Sequence, residues 1–179
     1  SGELAWELHV PNEALVDCYS ALTAAGEPFG LAHFGLHAVD SMRIEKGYRH
    51  WKADLITEFN PMESGLDRFV KMDKQFVGQQ ALEQMIKAGP RRLFVSLELH
   101  SDGAPAHPGD SIMSDDRVVG TVTSAAWGHR VNKNLAMGFV DVSSASIGQD
   151  LHVEVIGEPV PAQVCDPCRY DPENDRVRS

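Results

Sequence analysis

The run Val118-Val119-Gly120-Thr121-Val122-Thr123 sets five β-branched residues around one glycine. β-Branched side chains favour an extended backbone, so the run predicts a strand. Similar short apolar runs, separated by Gly, Asp, Ser and Pro residues, occupy residues 93–99, 136–140, 151–156 and 160–164. Several short strands with turns of this kind predict an antiparallel β-barrel or sandwich. We therefore expect residues 90–179 to form a C-terminal antiparallel β-barrel domain.

The first half of the chain mixes predicted helices with predicted strands. Trp6, Leu8 and Val10 alternate with polar residues, which is the period of a half-buried strand. Helix patterns, the first with Asn12 as its N-cap, cover residues 12–26, 31–45 and 78–87, and a second strand pattern covers residues 69–72. Gly89-Pro90 then marks a boundary. The predicted fold class is α+β, with a mixed α/β portion in residues 1–89 followed by the barrel.

The bulk properties exclude several classes of protein. The 179 residues are 42% hydrophobic and 23% charged, and the formal net charge is -10. This negative charge argues against binding to a nucleic-acid backbone or an anionic membrane. Three cysteines are too few for a disulfide framework, so free thiols are predicted. Because the sequence has neither a membrane-spanning apolar run nor a signal-peptide pattern, we expect a soluble protein of a reducing compartment.

Two pairs of residues have the spacing of metal ligands. His33 and His37 suit one face of a zinc-binding helix, but the glutamate of the usual motif is missing, and partly buried helix histidines are the better interpretation. Cys165 and Cys168 are spaced like a zinc knuckle or a redox pair, yet no second cysteine pair exists. We therefore predict no metal site.

The first residues of the chain carry a more informative pattern. If the predicted strand is regular, Glu3 and Glu7 lie on one face, opposite Trp6. A carboxylate on a sheet edge can accept two parallel hydrogen bonds from a planar pair of donors, such as an aminopyrimidinone ring. On pattern alone, however, Glu7 is more often a solvated strand residue.

Several strings in order resemble one protein family, that of the glycine cleavage T-protein and related aminomethyltransferases. Residues 2–11, GELAWELHVP, resemble its G-E-x-G-x-E-[IL]-x-V-P stretch. The further strings, at family-like distances, are GLHAVDSMRIEKGYRHWKADL, NPMESGL, FVGQQAL, VVGTVTS and NLAMGFV. Trp6, EKGYRHW and the ending YDPENDRVRS resemble most the branch fused to dimethylglycine and sarcosine dehydrogenases or oxidases.

This resemblance implies a tetrahydrofolate site in residues 1–89, the C-terminal part of the folate-binding domain. Glu7 would hold the pterin ring, whose ring N–H and exocyclic amine match one carboxylate. Leu4, Ala5 and Trp6 would form the adjoining wall, and Tyr48 would contribute after the second helix. Arg49 and Trp51 are candidates for the same pocket.

Two departures from the family pattern limit what the chain supplies. The family's arginine on the second helix is replaced by Val39, so contact with the anionic folate tail has to come from elsewhere. The family's catalytic aspartate is expected upstream of Ser1, so no catalytic residue is assigned here. We expect the chain alone to have little or no turnover.

The resemblance implies a parent enzyme that moves a one-carbon unit from an N-methylated amino acid (dimethylglycine, sarcosine or a glycine-derived group) to tetrahydrofolate. Its partners would be the folate, the amino acid and the upstream half of the same protein, with FAD only if a dehydrogenase domain lies upstream. The expected location is the bacterial cytoplasm or the mitochondrial matrix. The alternatives are a non-catalytic folate-binding or assembly protein, a sulfonium or aryl-ether demethylase, and a purely structural barrel.

Overall fold

The computed structural model describes residues 1–178 as four α-helices, six strands and several short 3₁₀ turns. The helices are α1 (Leu15–Gly26), α2 (Leu36–Glu45), α3 (Gln79–Ala88) and α4 (Asp175–Arg178). The strands are β1 (Arg92–Leu99), β2 (Ser111–Ser114), β3 (Arg117–Gly128), β4 (Lys133–Asp141), β5 (Asp150–Val155) and β6 (Glu158–Cys165).

All six strands join in one closed antiparallel barrel with the order β1-β4-β3-β2-β5-β6. Closure is complete because β1 pairs with both β4 and β6, so that Leu97 lies opposite Ala136 on one side and Val164 on the other. The predicted α+β fold with a C-terminal antiparallel barrel is confirmed. A closed sheet has no edge strand, so every strand finds two partners within the barrel.

Alternating side chains fill the barrel interior. In β5, Leu151, Val153 and Val155 are buried while the residues between them are exposed, as expected for a strand with one face on a core. Leu97 and Ile112 are fully buried in the same cluster. Burying each such side chain contributes about 1.5–3 kcal/mol to folding.

Two glycines allow β3 and β4 to approach closely. A Cβ added at Gly138 would lie 2.2 Å from the carbonyl oxygen of Thr121, and one added at Gly120 would lie 2.3 Å from that of Phe139. A bulge between Val122 and Ser124 shifts the register of the same pair of strands. Bulges and glycines of this kind let a sheet bend enough to close.

Helix α2 joins the first half of the chain to the barrel by packing against β3 and β4. Ile44 on α2 lies in a small apolar cluster with Leu135 and Met137, and Phe94, Ala126 and Val131 pack around it. Gly35, in an extended conformation, precedes the first turn of α2. The predicted helix 31–45 was therefore wrong in its first five residues, although its end at Glu45 is confirmed.

Several predicted elements of the first half are corrected. Residues 6–10 and 69–72 form no strands, because neither segment finds a partner strand within residues 1–178. Asn12 makes no capping hydrogen bond and opens a 3₁₀ turn that leads into α1. In α3, Leu82 is buried as predicted, whereas Met85 and Ile86 are largely exposed. The short strand β2, which has no β-branched run, was not predicted at all.

The apolar side chains of α1 lie on the surface. None of its residues is buried, and Leu15, Val16 and Tyr19 each expose more than half of their area. No helix in the described part of the chain is both long and apolar enough to span a membrane. The predicted boundary at residues 89 and 90 lies just ahead of β1.

Candidate functional site

Residues 4–7, the candidate ring-binding segment, run along the surface as irregular backbone. Leu4, Ala5 and Trp6 are exposed, and the Glu7 side chain is 92% exposed. The His9 imidazole lies 3.9 Å from the Glu7 carboxylate, which makes no hydrogen bond with residues 1–178. Because the segment is not a strand, the expected shared face of Glu3 and Glu7 is wrong, but Glu7 remains an unoccupied acceptor.

The residues just before this segment are anchored to the barrel through Arg130. Its guanidinium pairs with the carboxylate of Glu3 and with the fully buried carboxylate of Glu45 at the end of α2. The backbone N–H of Arg130 donates to Glu45 at 2.6 Å, and its guanidinium stacks 3.9 Å from the centre of the Tyr170 ring. One arginine thus holds the chain start, α2 and the C-terminal tail together.

A second buried network fixes the loop that follows α2. The Asp54 carboxylate, fully buried, accepts hydrogen bonds from Arg43 at 3.0 Å and from the backbone N–H of His50 at 2.7 Å. Thr123 and Ser124 on β3 donate to its other oxygen at 2.5 and 2.7 Å. A buried carboxylate is tolerated only when its lone pairs are satisfied in this way. The network therefore sets the position of Tyr48 and Arg49 relative to the barrel.

Tyr48 and Arg49 line a cavity of about 580 Å³ between the end of α2, a turn after it and the C-terminal tail. Its walls are Lys46, Gly47, Tyr48, Arg49, Leu55, Gly65, Leu66, Arg68, Pro167, Cys168, Pro172 and Asn174. At Gly47, whose φ is +70°, a Cβ would lie 2.5 Å from the Pro167 carbonyl oxygen, so the tail passes directly over this glycine. We call this space the tail cavity.

A neighbouring cavity of about 500 Å³ is mostly apolar, and its walls include Trp51, Ile56, Phe59 and Pro61. It shares only Leu55 and Leu66 with the tail cavity. The structure thus brings two of the candidate residues, Tyr48 and Arg49, into one cavity and places Trp51 in the next. The segment 4–7 lines neither of these two spaces.

The sequence did not single out Arg68 or the tail residues as part of a site. Arg68 follows a turn held by Glu63, whose carboxylate accepts hydrogen bonds from the backbone N–H groups of Asn60 and Arg91. Asn174 reaches the cavity because its side chain accepts a hydrogen bond from Lys46 at 2.9 Å. These contacts join residues that are far apart in the sequence, so no local pattern predicts them.

The candidate metal ligands do not assemble. His33 lies before α2 and pairs with Tyr19, its Nε2 3.3 Å from the tyrosine oxygen, so His33 and His37 do not share a helix. Both histidines are exposed, and the expectation of partly buried helix histidines was wrong. Within residues 1–178, no group of three or more His, Cys, Asp or Glu side chains is placed to hold a metal ion.

The cysteines are free thiols, as predicted. Burial raises the pKa of the Cys165 thiol to about 11, with smaller effects from Arg169 and nearby carboxylates. Cys168 donates to the carbonyl oxygen of Tyr170 at 3.3 Å. A thiol with so high a pKa stays protonated at neutral pH and is a poor nucleophile.

Two family models match the chain in succession. The GCVT N-terminal domain matches residues 1–74, and the glycine cleavage T-protein C-terminal barrel domain matches residues 91–171. The second match covers all six strands of the barrel described above.

Known proteins of two kinds are similar to the chain. It is 37% identical over 166 residues to mitochondrial dimethylglycine dehydrogenase of Homo sapiens, covering 92% of the chain and 19% of the relative. It is 38% identical over 186 residues to mitochondrial sarcosine dehydrogenase of Mus musculus, covering 99% of the chain and 20% of the relative. It is also 32% identical over 167 residues to an aminomethyltransferase of Caldanaerobacter subterraneus, covering 93% of the chain and 44% of the relative. The chain therefore spans about a fifth of these dehydrogenases and less than half of the aminomethyltransferase.

A solved structure shares the fold. The aminomethyltransferase T of the glycine cleavage system from Bartonella henselae superimposes with a TM-score of 0.76 at 26% identity, covering 87% of this chain and 45% of that one. The match therefore extends beyond the barrel to residues of the first half.

Proposed function

The chain belongs to the glycine cleavage T-protein family of aminomethyltransferases, and we propose that the complete protein transfers a one-carbon unit from an N-methylated amino acid to tetrahydrofolate. In this proposal the chain supplies part of the folate site and the barrel that supports it. Relatives named as aminomethyltransferases and as dimethylglycine and sarcosine dehydrogenases support the class of reaction.

The observation that carries the folate proposal is the exposed, unengaged carboxylate of Glu7 on a segment whose start is pinned to the barrel. A pterin ring presents two parallel N–H donors, and a carboxylate offers two acceptor oxygens at matching spacing. Leu4, Ala5 and Trp6 are exposed next to Glu7 and would cover the ring once it binds. Tyr48 would contribute from the end of α2.

The decisive experiment compares Glu7→Ala and Glu7→Gln with Glu13→Gln in the complete protein. Glu13 is another exposed carboxylate nearby, so its change controls for charge alone. We expect both Glu7 variants to bind tetrahydrofolate more weakly by about 2–4 kcal/mol, because a glutamine still places a donor against the donors of the ring. Unchanged affinity of both Glu7 variants by calorimetry would reject the assignment.

Catalysis itself is assigned to another part of the complete protein. We propose that the acid-base aspartate and the reading of the methyl donor come from upstream, and that FAD is bound only where a dehydrogenase domain is present. The chain alone should then show little or no turnover with dimethylglycine, sarcosine or an aminomethyl donor. Turnover by the isolated chain would contradict this division of labour.

The exposed apolar side chains of the first half suit packing against the remainder of the complete protein. Those between residues 4 and 36 are Leu4, Trp6, Leu8, Leu15, Val16, Tyr19, Leu22, Phe29, Leu31, Phe34 and Leu36. An exposed apolar surface of this extent normally marks an interaction site. We propose that the upstream half covers it, and amide hydrogen exchange of α1 should be slower in the complete protein than in the chain alone.

The assembly-factor alternative is weakened by one residue. That branch of the family carries a cysteine directly after the Lys-Gly pair, whereas Lys46-Gly47 is followed here by Tyr48. A sulfonium or aryl-ether donor would be distinguished by testing those substrates with the complete protein. We propose the bacterial cytoplasm or mitochondrial matrix as the location, in line with the named mitochondrial relatives.

A further inference from the structure

The walls of the tail cavity carry cationic side chains and no carboxylate. Lys46, Arg49 and Arg68 line it, and among residues 1–178 no Asp or Glu does. The chain as a whole has 26 acidic residues against 16 Lys and Arg. The charged residues in its walls are therefore all cationic although the chain is acidic overall, and such a space favours an anion.

Arg49 is partly buried and has a donor without a partner among residues 1–178. Its guanidinium lies 4.8 Å from the centre of the Phe94 ring, and one of its terminal nitrogens would lie 2.5 Å from a Cβ added at Gly65. Its Nε is buried without a hydrogen-bond partner within residues 1–178, and the hydrogen bond from a terminal nitrogen to the Gly47 carbonyl is long at 3.5 Å. Burial lowers the pKa of Arg49, partly offset by Asp54. A buried donor without a partner costs free energy that a bound acceptor would recover.

Arg68 approaches the same cavity from the turn after Gly65. It contacts the ring of its neighbour Phe69, with 4.6 Å from the guanidinium carbon to the ring centre, and forms no ion pair with a described carboxylate. Its positive charge also opposes that of Arg49, and so contributes to lowering the pKa of Arg49. The carboxylates of Asp54 and Asp67 offset part of this repulsion without forming an ion pair with Arg49, and an anion bound between the two arginines would relieve the remainder.

The third cation, Lys46, is already neutralised. Its ammonium group donates to the backbone oxygen of Asp171 at 2.5 Å, to the Asp171 carboxylate at 3.2 Å and to the Asn174 side chain at 2.9 Å. Lys46 therefore holds the tail in place as one wall of the cavity. The two arginines remain as the groups available to a ligand.

We propose that the tail cavity is a carboxylate-binding site in which Arg49 and Arg68 grip the ligand from two sides. The planar guanidinium fork matches a carboxylate with two parallel hydrogen bonds. We also infer the source of this carboxylate, and this step rests on the proposed folate function. The bound carboxylate is that of the glutamate tail of tetrahydrofolate. The uncharged Val39 on α2 cannot bind it. A free dicarboxylic acid offers the same chemistry, and the experiment separates the two sources.

The test uses calorimetry to measure how tightly ligands bind to the complete protein, and it compares the Arg68→Gln variant with the Lys71→Gln variant. Lys71 is exposed, lies three residues away and does not line the cavity, so its variant matches the change of charge. The ligands are tetrahydrofolate, tetrahydropteroate, which lacks the glutamate, and glutarate. We expect Arg68→Gln to bind tetrahydrofolate about tenfold or more weakly and tetrahydropteroate as the unchanged protein does, because only the first ligand carries the tail.

Arg49→Lys provides a second variant that keeps the charge but removes the fork, and it should weaken tetrahydrofolate in the same selective way. Its melting temperature, measured in parallel, reports any destabilisation from the altered packing on Phe94. If Arg68→Gln weakens glutarate but not tetrahydrofolate, the carboxylate site stands and its ligand is the free acid. If neither ligand responds to either arginine, the proposal is overturned.

The same data separate this inference from the folate function. If Arg68→Gln weakens neither tetrahydrofolate nor glutarate while Glu7→Ala weakens tetrahydrofolate, only the carboxylate site is overturned. Unchanged folate binding in Glu7→Ala together with Arg68-dependent glutarate binding would overturn only the pterin assignment.

Discussion

The barrel and helix α1 differ sharply in how they use their apolar residues. Every strand of the barrel has two partners, and its interior is closed around side chains such as Leu97. Helix α1 also carries apolar side chains, yet none of its residues is buried. The barrel buries its own core, whereas α1 exposes its apolar side chains on the surface. Stability measurements on the two regions should therefore diverge.

The largest effect is expected where α2 and the loop after it join the barrel, rather than at α1. Asp54→Ala removes the carboxylate that neutralises buried Arg43 and receives the hydroxyls of Thr123 and Ser124. Arg43 keeps its ion pair with the partly exposed Asp40, but breaking the buried pair by removing Asp54 costs about 3–5 kcal/mol, so denaturant unfolding should shift strongly. Glu58→Ala, at an exposed carboxylate in the same loop, is the matched control and should change little. Equal stability of the two variants would show that the junction does not hold the barrel.

A direct comparison of the two regions comes from the same substitution in each. Leu97→Ala empties a site that is 0% exposed and should cost about 2–5 kcal/mol, because the cavity cannot fully collapse. Leu15→Ala on α1, where the side chain is 52% exposed, should change the stability of the chain by about 0.5 kcal/mol or less. If another part of the complete protein covers α1, Leu15→Ala should destabilise the complete protein more than it destabilises the chain alone. A large destabilisation from Leu15→Ala in the chain alone would contradict the exposed position of α1.

The smallest effect concerns the pH dependence of the tail's attachment to β1. Burial raises the pKa of Glu98, but the hydrogen bond and charge of Lys133 and the charge of Arg169 outweigh it and lower the pKa below 4.5. A carboxyl group with a depressed pKa adds stability that is present above pH 4.5 and lost as pH falls through its folded value. Below pH 4.5, the free energy of unfolding should therefore fall more steeply with decreasing pH in the unchanged chain than in Glu98→Gln. Parallel pH curves for both would rule out this contribution.

Five of the six strands of the barrel were predictable because their signal is local, whereas β2 was not predicted. In β5, Leu151, Val153 and Val155 alternate with polar residues over six consecutive positions. Because alternate side chains of a strand point to the same face, this pattern predicts one buried face. The same reasoning failed for Trp6, Leu8 and Val10, because alternation becomes a strand only when another strand is available to pair with it.

The candidate site was less predictable than the fold. Glu7 and Tyr48 were singled out through a family resemblance, and their roles in binding remain predictions. Arg68 was missed because it lies outside the family-like strings and a turn brings it to the same cavity as Arg49.

By itself, the sequence determined an α+β chain with a closed β-barrel and a place in the aminomethyltransferase family, since local alternation and ordered motifs survive without a structure. Only the tertiary structure decided which charges meet. Lys46 binds Asp171 from 125 positions away, and Arg130 reaches back 85 positions to Glu45. Contacts over such separations depend on how the barrel closes and where the tail crosses it, and no spacing within the chain encodes that path.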